Sequence, residues 1–281
     1  MPKGLGKGYE QLIDEDKHNI VTMFKSGKTY KEICNTIPCT RRAVPKVMSE
    51  YNIQTHRKNR YTLDETYFLS DITERKAYWL GLISADGCIT NTNYFVLQLS
   101  GEDHYLLSHF KDDINYTGEI YIPKYKEPRQ TIYRINFSSK IMCNSLRDLG
   151  ILENKLASRN MIPNIPEKMI RHYMRGYFDG DGTFIIGKSS YTRNNKDYVY
   201  PSYHISIAMT YPLAQEWSEY LKQQIKYDAK IHRSKCNQIC YVCVFQKQAL
   251  RALYDLLYQN ASIYMARKHD KWLQFLSAYS E

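Results

Sequence analysis

Two aspartates occupy the same place in a short pattern that the chain uses twice. The pattern reads WLGLISADG at residues 79–87 and MRGYFDGDG at residues 174–182. Both copies have glycine at the third and ninth positions, a small residue at the seventh, and aspartate (Asp86 and Asp181) at the eighth. Because the copies lie one domain length apart, they indicate an internal duplication. Paired carboxylates can hold divalent cations, and cations held in this way can assist the hydrolysis of phosphodiesters.

A helix is predicted to lead into each aspartate. Before Asp181, apolar residues recur at the spacing of one helix face. This stripe consists of Ile170, Tyr173, Met174, Tyr177 and Phe178. The segment 77–83 before Asp86 is apolar on nearly every side, which predicts a buried helix. A glycine follows each aspartate, and helices often end at a left-handed glycine.

Small residues four positions apart predict that these two helices pack side by side. The pairs are Gly81 with Ala85 and Gly176 with Gly180, and such pairs let two helix backbones approach closely. Both aspartates would then lie at helix C-termini, where the helix dipole disfavours negative charge, and their carboxylates would repel each other. An unfavourable arrangement used twice favours a site for divalent cations.

Composition favours a polyanionic partner. The chain has 281 residues, which indicates about two domains. Its net charge of +10 favours nucleic acid over a membrane as the partner. Its mean hydropathy of −0.56 and short apolar runs predict no transmembrane helix. With no secretory signal visible, we expect an intracellular location (cytoplasm, organelle matrix or phage-infected cell) and reduced thiols. His232, Cys236, Cys240 and Cys243 could suggest zinc, but strand alternation would put Cys240 and Cys243 on opposite faces.

Residues 14–53 are predicted to form a small helical module. A helix is expected over Asp14–Lys25, and Thr29 with Glu32 forms a capping box for a second. Thr40 is expected to cap a third, basic segment that carries Arg41, Arg42 and Lys46, although Pro45 is unfavourable there. The order resembles a helix-turn-helix, and the alternative is a helical domain that never contacts bases.

The remainder repeats one order of elements. Each half is predicted as αββαββα, with strands near 88–90, 94–100, 118–125 and 130–138 in the first half, and near 183–188, 199–209, 228–235 and 239–246 in the second. Basic residues cluster on the hairpins, and a β-ribbon fits the DNA major groove. The predicted DNA-binding residues are Lys124, Lys126, Arg129, Arg134, Lys188, Arg193, Lys196, Lys230, Arg233 and Lys235. We therefore expect an α+β fold of two pseudo-symmetric halves with a DNA-binding β-saddle, divided into residues 1–58, 59–163 and 164–281.

The amino-acid sequence around both aspartates resembles that of the single-chain, two-motif LAGLIDADG homing endonucleases. The resemblance runs from about Tyr61 to the C-terminus and rests on AYWLGLISADG (77–87) and RHYMRGYFDGDGTF (171–184). Ser84 departs from a frequent acid at the sixth motif position. The resemblance implies cleavage of double-stranded DNA at a long target site by a monomer that uses Mg²⁺ or Mn²⁺.

The resemblance also implies roles for residues beside the aspartates. The carbonyls of Ala85 and Gly180 would join Asp86 and Asp181 as metal ligands, and one basic residue would serve each site. Lys268 in YMARK fits the second site, and Lys155 (alternatively Arg159) fits the first. Two other readings stay open: a DNA-binding regulator that has lost cleavage, and an intron maturase, for which the partner would be structured RNA.

Overall fold

The structure is a computed structural model that describes residues 6–53, 61–123, 131–153, 161–234 and 238–280. The chain divides into two compact units, residues 1–60 and residues 61–281. No helix in the described part of the chain is long and apolar enough to cross a membrane. A further boundary at residue 163, between two halves of the larger unit, stays a prediction.

In its described residues the smaller unit has a short 3₁₀ turn (Tyr9–Gln11) followed by three short α-helices: α1 (Asp14–Lys25), α2 (Tyr30–Thr36) and α3 (Ala43–Glu50). The predicted capping box opens α2: the Thr29 side chain accepts from the Glu32 N–H, and the Glu32 carboxylate accepts from the Thr29 N–H at 2.7 Å. Ile20, Ile33 and Val47 are fully buried in the separate core of this unit.

The third helix begins two residues later than its predicted cap implied. Arg42, not Thr40, occupies the N-cap position, and the Ala43 N–H donates to the Thr40 carbonyl. Pro45 is therefore the third residue of α3 and lies in its first turn. An N–H in that turn has no acceptor within the helix, so proline removes no hydrogen bond there.

In the larger unit, the first motif helix, α4 (Glu74–Asp86), leads directly into strand β1 (Gly87–Ile89). The chain continues through β2 (Tyr94–Ser100), α5 (Tyr105–Asp113), β3 (Ile132–Ser138) and α6 (Lys140–Asp148). The three strands form an antiparallel sheet in the order β1-β2-β3. The strand predicted near 118–125 is absent from its described part, 118–123, where only an isolated bridge joins Tyr121 to Arg134.

The second motif helix, α7 (Glu167–Asp181), leads in the same way into β4 (Gly182–Arg193). It is followed by β5 (Lys196–Met209), α8 (Tyr211–Ile225), β6 (Lys230–Arg233), β7 (Cys240–Val244), α9 (Lys247–Tyr258) and α10 (Ala266–Ser280). The strand order is β4-β5-β7-β6, with every pairing antiparallel. Helices from both halves share one continuous core with the two sheets. The predicted mixed fold of two related halves is confirmed.

The β4–β5 hairpin is much longer than predicted. Its strands pair without interruption from Gly182 with Ile207 to Arg193 with Lys196. Asn194 and Asn195 form the two-residue turn, with φ values of 52° and 60°. A turn with positive φ at both central residues matches the twist of paired strands, and asparagine tolerates that conformation.

Candidate active site and nucleic-acid interface

The two motif helices touch through their backbones. A Cβ atom on Gly81 would overlap the Tyr173 carbonyl oxygen and would lie 2.6 Å from the Tyr177 nitrogen. A Cβ atom on Gly176 would in turn overlap the Tyr78 carbonyl oxygen. Only glycine fits at these two positions, because any Cβ atom would collide with the backbone of the facing helix. The structure thus brings together the small residues singled out in the sequence.

The same close packing joins the C-terminal ends of the two helices. A Cβ atom on Gly180 would overlap the Cβ of Ala85 and would lie 3.0 Å from Oδ2 of Asp86. The carboxylate of Asp86 thus lies against the end of the second motif helix. Asp181 is the next residue of that helix, and both aspartates are half-buried. The C-terminal ends of the two motif helices therefore lie side by side.

The glycines after the aspartates are extended, not left-handed as expected. Gly87 has φ −84° and ψ 169°, and Gly182 has φ −83° and ψ 153°. Glycine is needed for space: a Cβ at Gly87 would lie 2.6 Å from the Ile83 carbonyl oxygen, and one at Gly182 would lie 2.6 Å from the Phe178 carbonyl oxygen. Each glycine lets a strand start directly at the helix end, which fixes the preceding aspartate at the junction.

The donors at this junction suit a hard divalent cation. The candidate donors are the carboxylates of Asp86 and Asp181 and the carbonyls of Ala85 and Gly180, all of them oxygens. The missing side chain of Gly180 leaves open the space beside Asp86 that a Cβ would fill. Within the described ranges no three His, Cys, Asp or Glu side chains group as a metal site. Water and a substrate oxygen would therefore have to complete the coordination, as is usual for Mg²⁺.

Lys268, the basic residue predicted for the second site, is buried at the end of the second motif helix. Its Nζ donates to the carbonyls of Phe178 at 2.9 Å, Gly180 at 3.0 Å and Gly182 at 2.6 Å. Its ammonium group thereby satisfies terminal helix carbonyls and offsets the negative end of the helix dipole. Burial lowers the pKa of Lys268 to about 8, although nearby carboxylates oppose the shift. The residues predicted for the first site, Lys155 and Arg159, lie outside the described residues.

Asp179, two positions before Asp181, has a different environment. It is fully buried and accepts hydrogen bonds from the Tyr258 hydroxyl at 2.7 Å, the Met265 N–H at 2.7 Å and the Tyr78 hydroxyl at 3.0 Å. Burial raises the pKa of Asp179, and these hydrogen bonds oppose the rise. This acid ties α7 to α4 and to the segment before α10, a role that sequence reasoning missed. Its only signal was an acid at a motif position where the first copy has Ser84.

A buried ionic network at the other end of the motif helices was also missed. Arg175 is fully buried and donates to Glu74 Oε1 at 2.7 Å, to His172 Nδ1 at 2.9 Å and to the carbonyls of Leu257 and Ile263. Burial, reinforced by the charge of Arg175, lowers the pKa of His172 to about 4. His172 is therefore a neutral residue of the core. The network joins the start of α4 to the middle of α7.

The predicted DNA-binding residues that the structure describes on the sheets do not all lie on one face. In the first half, Arg134 lies on the face opposite the core, where its Nη2 donates to Gln98 Oε1 at 2.9 Å. In the second half, side-chain alternation places Arg193, Lys196 and Lys230 on the corresponding face.

Lys188 and Arg233 lie on the other face of the second sheet. Lys188 shares the face of Phe184, and Arg233 packs its guanidinium 4.5 Å from the centre of the Tyr211 ring. Side chains alternate strictly between the two faces along paired strands. A basic residue on a hairpin can therefore point to either face, and its charge alone does not show which one. Lys124, Lys126, Arg129 and Lys235 lie outside the described residues.

In the smaller unit, the three predicted contact residues lie at and near the start of α3. Arg41, Arg42 and Lys46 are all exposed. Lys46 lies 5.4 Å from the centre of the Tyr9 ring. Glu50 is engaged by Tyr9 at 2.8 Å and by Lys17 at 3.0 Å, so its negative charge is offset locally.

Comparison with solved structures places the fold among known proteins. No family model matches the chain, and no curated protein matches it. The LAGLIDADG meganuclease I-AabMI bound to uncleaved DNA matches with a TM-score of 0.52 and 16% identity over 74% of this chain and 91% of that chain. The LAGLIDADG homing endonuclease I-SmaMI bound to cleaved DNA matches with a TM-score of 0.50 and 15% identity over 75% and 91%. An alanine mutant of I-SmaMI gives a TM-score of 0.51 at 14% identity over 75% and 93%. The chain therefore has the fold of the single-chain, two-domain LAGLIDADG homing endonucleases.

Proposed function

We propose that this protein is a site-specific double-strand DNA endonuclease that hydrolyses phosphodiester bonds with Mg²⁺ or Mn²⁺. One observation carries the proposal: the carboxylate of Asp86 lies against the Gly180 end of the second motif helix, where Asp181 follows. Two acids at adjoining helix ends can hold a divalent cation, which would in turn attract a phosphate, and the fold is shared with DNA-bound endonucleases. A divalent cation bound there would supply charge neutralisation at the phosphate and a more acidic water.

The residues of the chain would act in distinct ways. The carboxylates of Asp86 and Asp181 would bind the cation and orient the attacking water. Lys268 would hold the Gly180 carbonyl in place through its hydrogen bond of 3.0 Å. In the reaction the water oxygen bonds to phosphorus and gives up a proton, one P–O bond breaks, and the departing oxygen takes up a proton.

DNA would be held mainly by the sheet faces that point away from the core. Arg134, Arg193, Lys196 and Lys230 lie on those faces. The smaller unit would add contacts from Arg41, Arg42 and Lys46. We further propose that one chain acts as a monomer, because both motifs are present in it.

A library of double-stranded DNA with randomised sequence tests the proposal. Fragments retained by the protein in Ca²⁺ would be recovered, then exposed to the protein in Mg²⁺ or in EDTA. We expect cutting of both strands at a defined position in Mg²⁺ alone. Retained fragments that stay intact in Mg²⁺ and Mn²⁺ would favour the non-cleaving regulator. Tighter binding of a structured-RNA library than of this DNA library would favour the maturase.

A further inference from the structure

A cleft lies beside Asp86 between the two halves of the larger unit. Its volume is about 310 Å³. The first half lines it with Asp86, Gln98, Ser100 and Asp103, and the second half with Gly180 and Arg267. The cleft thus adjoins the candidate cation site, and among the described residues Arg267 presents a cationic side chain to it.

Arg267 reaches this cleft from the opposite half. It is the second residue of α10, yet its Nε donates to both carboxylate oxygens of Asp103, at 3.0 and 2.8 Å. The Asp103 side chain is 3% exposed, whereas that of Arg267 is 45% exposed. A buried carboxylate therefore fixes the inner edge of the guanidinium, while its outer part remains open to solvent.

The unused donors of Arg267 distinguish it from Lys268, its neighbour in the chain. All three hydrogen-bond donors of Lys268 are engaged by backbone carbonyls. Among the described residues, Asp103 is the only hydrogen-bond acceptor for Arg267, and it uses Nε. Nη1 and Nη2 are therefore available to a ligand in the cleft. Two such N–H groups match two oxygens of a phosphate, a geometry that lysine cannot provide.

We propose that Arg267 binds the DNA phosphate at the Asp86 site, and that Asp103 is the positioning residue that holds its guanidinium. This inference rests on the proposed nuclease function. The second half would thus complete the site of the first half. Because two related halves face two antiparallel DNA strands, each aspartate would serve mainly one strand, and Arg267 would act mainly on the strand cut at Asp86.

The test is single-turnover cleavage of a DNA target recovered from the library, with each strand labelled separately. For Arg267→Met we expect the strand served by Asp86 to be cut at least 100-fold more slowly, and the other strand less than about tenfold more slowly. Arg267→Lys should recover part of the loss. Arg251→Met is the matched control, because Arg251 is an exposed arginine on α9 that pairs with Asp255 and with no other residue that the structure describes. This variant should cut both strands at native rates.

A second variant shows whether slower cleavage by Arg267→Met results from poor folding. Arg267→Met leaves the buried Asp103 carboxylate unpaired, so the double variant Asp103→Asn with Arg267→Met removes both charges. We expect the same strand-selective loss from it, together with a decrease of about one in the salt slope of DNA binding measured in Ca²⁺.

The outcomes separate the two proposals. If the native protein cuts neither strand, the nuclease function itself fails. Suppose instead that the native protein cuts, and that Arg267→Met and the double variant both cut the two strands at native rates with an unchanged salt slope. Only the role of Arg267 is then overturned. Equal slowing of both strands would likewise overturn the strand assignment and leave the nuclease function standing.

Discussion

Asp181 and Asp179 lie two positions apart on the same helix, yet their surroundings predict opposite effects of the same substitution. Asp181→Asn should abolish double-strand cleavage, or leave slow nicking, because it removes a cation-binding charge. The Asp181→Asn variant should keep the stability of the native protein, and its DNA affinity should stay within about tenfold of the native value. Asp179→Asn should instead lower the free energy of unfolding by about 1–3 kcal/mol, since its new amide N–H groups would face the donors of Tyr258, Tyr78 and Met265.

Urea unfolding and cleavage rates of these two variants, with Asp86→Asn alongside Asp181→Asn, provide the measurement. Asp86→Asn should likewise abolish double-strand cleavage or leave slow nicking, because each acid serves mainly one strand and cutting both strands needs both acids. Native cutting of both strands by both motif variants would remove the catalytic assignment. A destabilised Asp181→Asn with a stable Asp179→Asn would reverse the roles that the structure indicates.

His172 gives the larger unit a defined response to acid. The pKa of His172 is about 4 in the folded protein against an ordinary 6.5. Between these values the unfolded chain binds more protons than the folded one, so stability falls as pH falls from 6.5 towards 4. Burial lowers this pKa most, the charges of Arg175 and Arg171 lower it further, and Glu74 opposes them. The stability that this residue contributes at pH 7 should therefore be lost in acid.

Urea unfolding at pH 7 and pH 5 measures this effect. Between these pH values the free energy of unfolding of the native protein should fall by about 2 kcal/mol more than that of His172→Gln does. The variant keeps a side chain that can accept from Arg175 but cannot take up a proton. An equal loss in the two proteins would show that His172 is not held neutral.

At the scale of whole elements, the contact between the motif helices should be intolerant of any side chain at Gly176. A Cβ there overlaps the Tyr78 carbonyl oxygen, and a backbone atom cannot move aside without separating the helices. We expect Gly176→Leu to lower the melting temperature markedly and to reduce cleavage with it. Gly176→Ala should do the same to a smaller extent.

Gly187→Ala is the matched control for this contact. A Cβ at Gly187 would lie 3.5 Å from the Ser202 Oγ, an ordinary van der Waals distance. Its stability should stay within about 0.5 kcal/mol of the native value. If Gly176→Leu melted at the native temperature, the two helices could not be in backbone contact.

The motif helices and the cap at Thr29 could be predicted from the sequence because their signals are local. The helical stripe before Asp181 and the box of Thr29 with Glu32 depend on residues within two turns of each other. The length of the β4–β5 hairpin was missed because its outer part, such as Tyr191 and Val199, is exposed on both faces and shows no apolar alternation. The contact of Asp103 with Arg267 joins residues far apart in the chain, so only the folded structure brings it into view.

At the scale of the whole molecule, the positive charge is shared between two units with separate cores. Deleting residues 1–58 should leave a folded, metal-dependent nuclease, because the larger unit holds both aspartates and both sheets. DNA binding should weaken, since Arg41, Arg42 and Lys46 are lost. If each of these side chains neutralises one phosphate, the salt slope of binding should fall by about 3.

The full-length chain with all three basic residues changed to glutamine is the control for this deletion, because it keeps the module folded while removing its charge. It should reproduce the loss of salt slope and cut its target in Mg²⁺ as the truncated protein does. If the triple variant binds like the native chain while the truncated one does not, the module contributes through other residues. If both bind as tightly as the native chain at matched salt, with the same slope, the module does not contact DNA. Its three short helices would then serve packing alone.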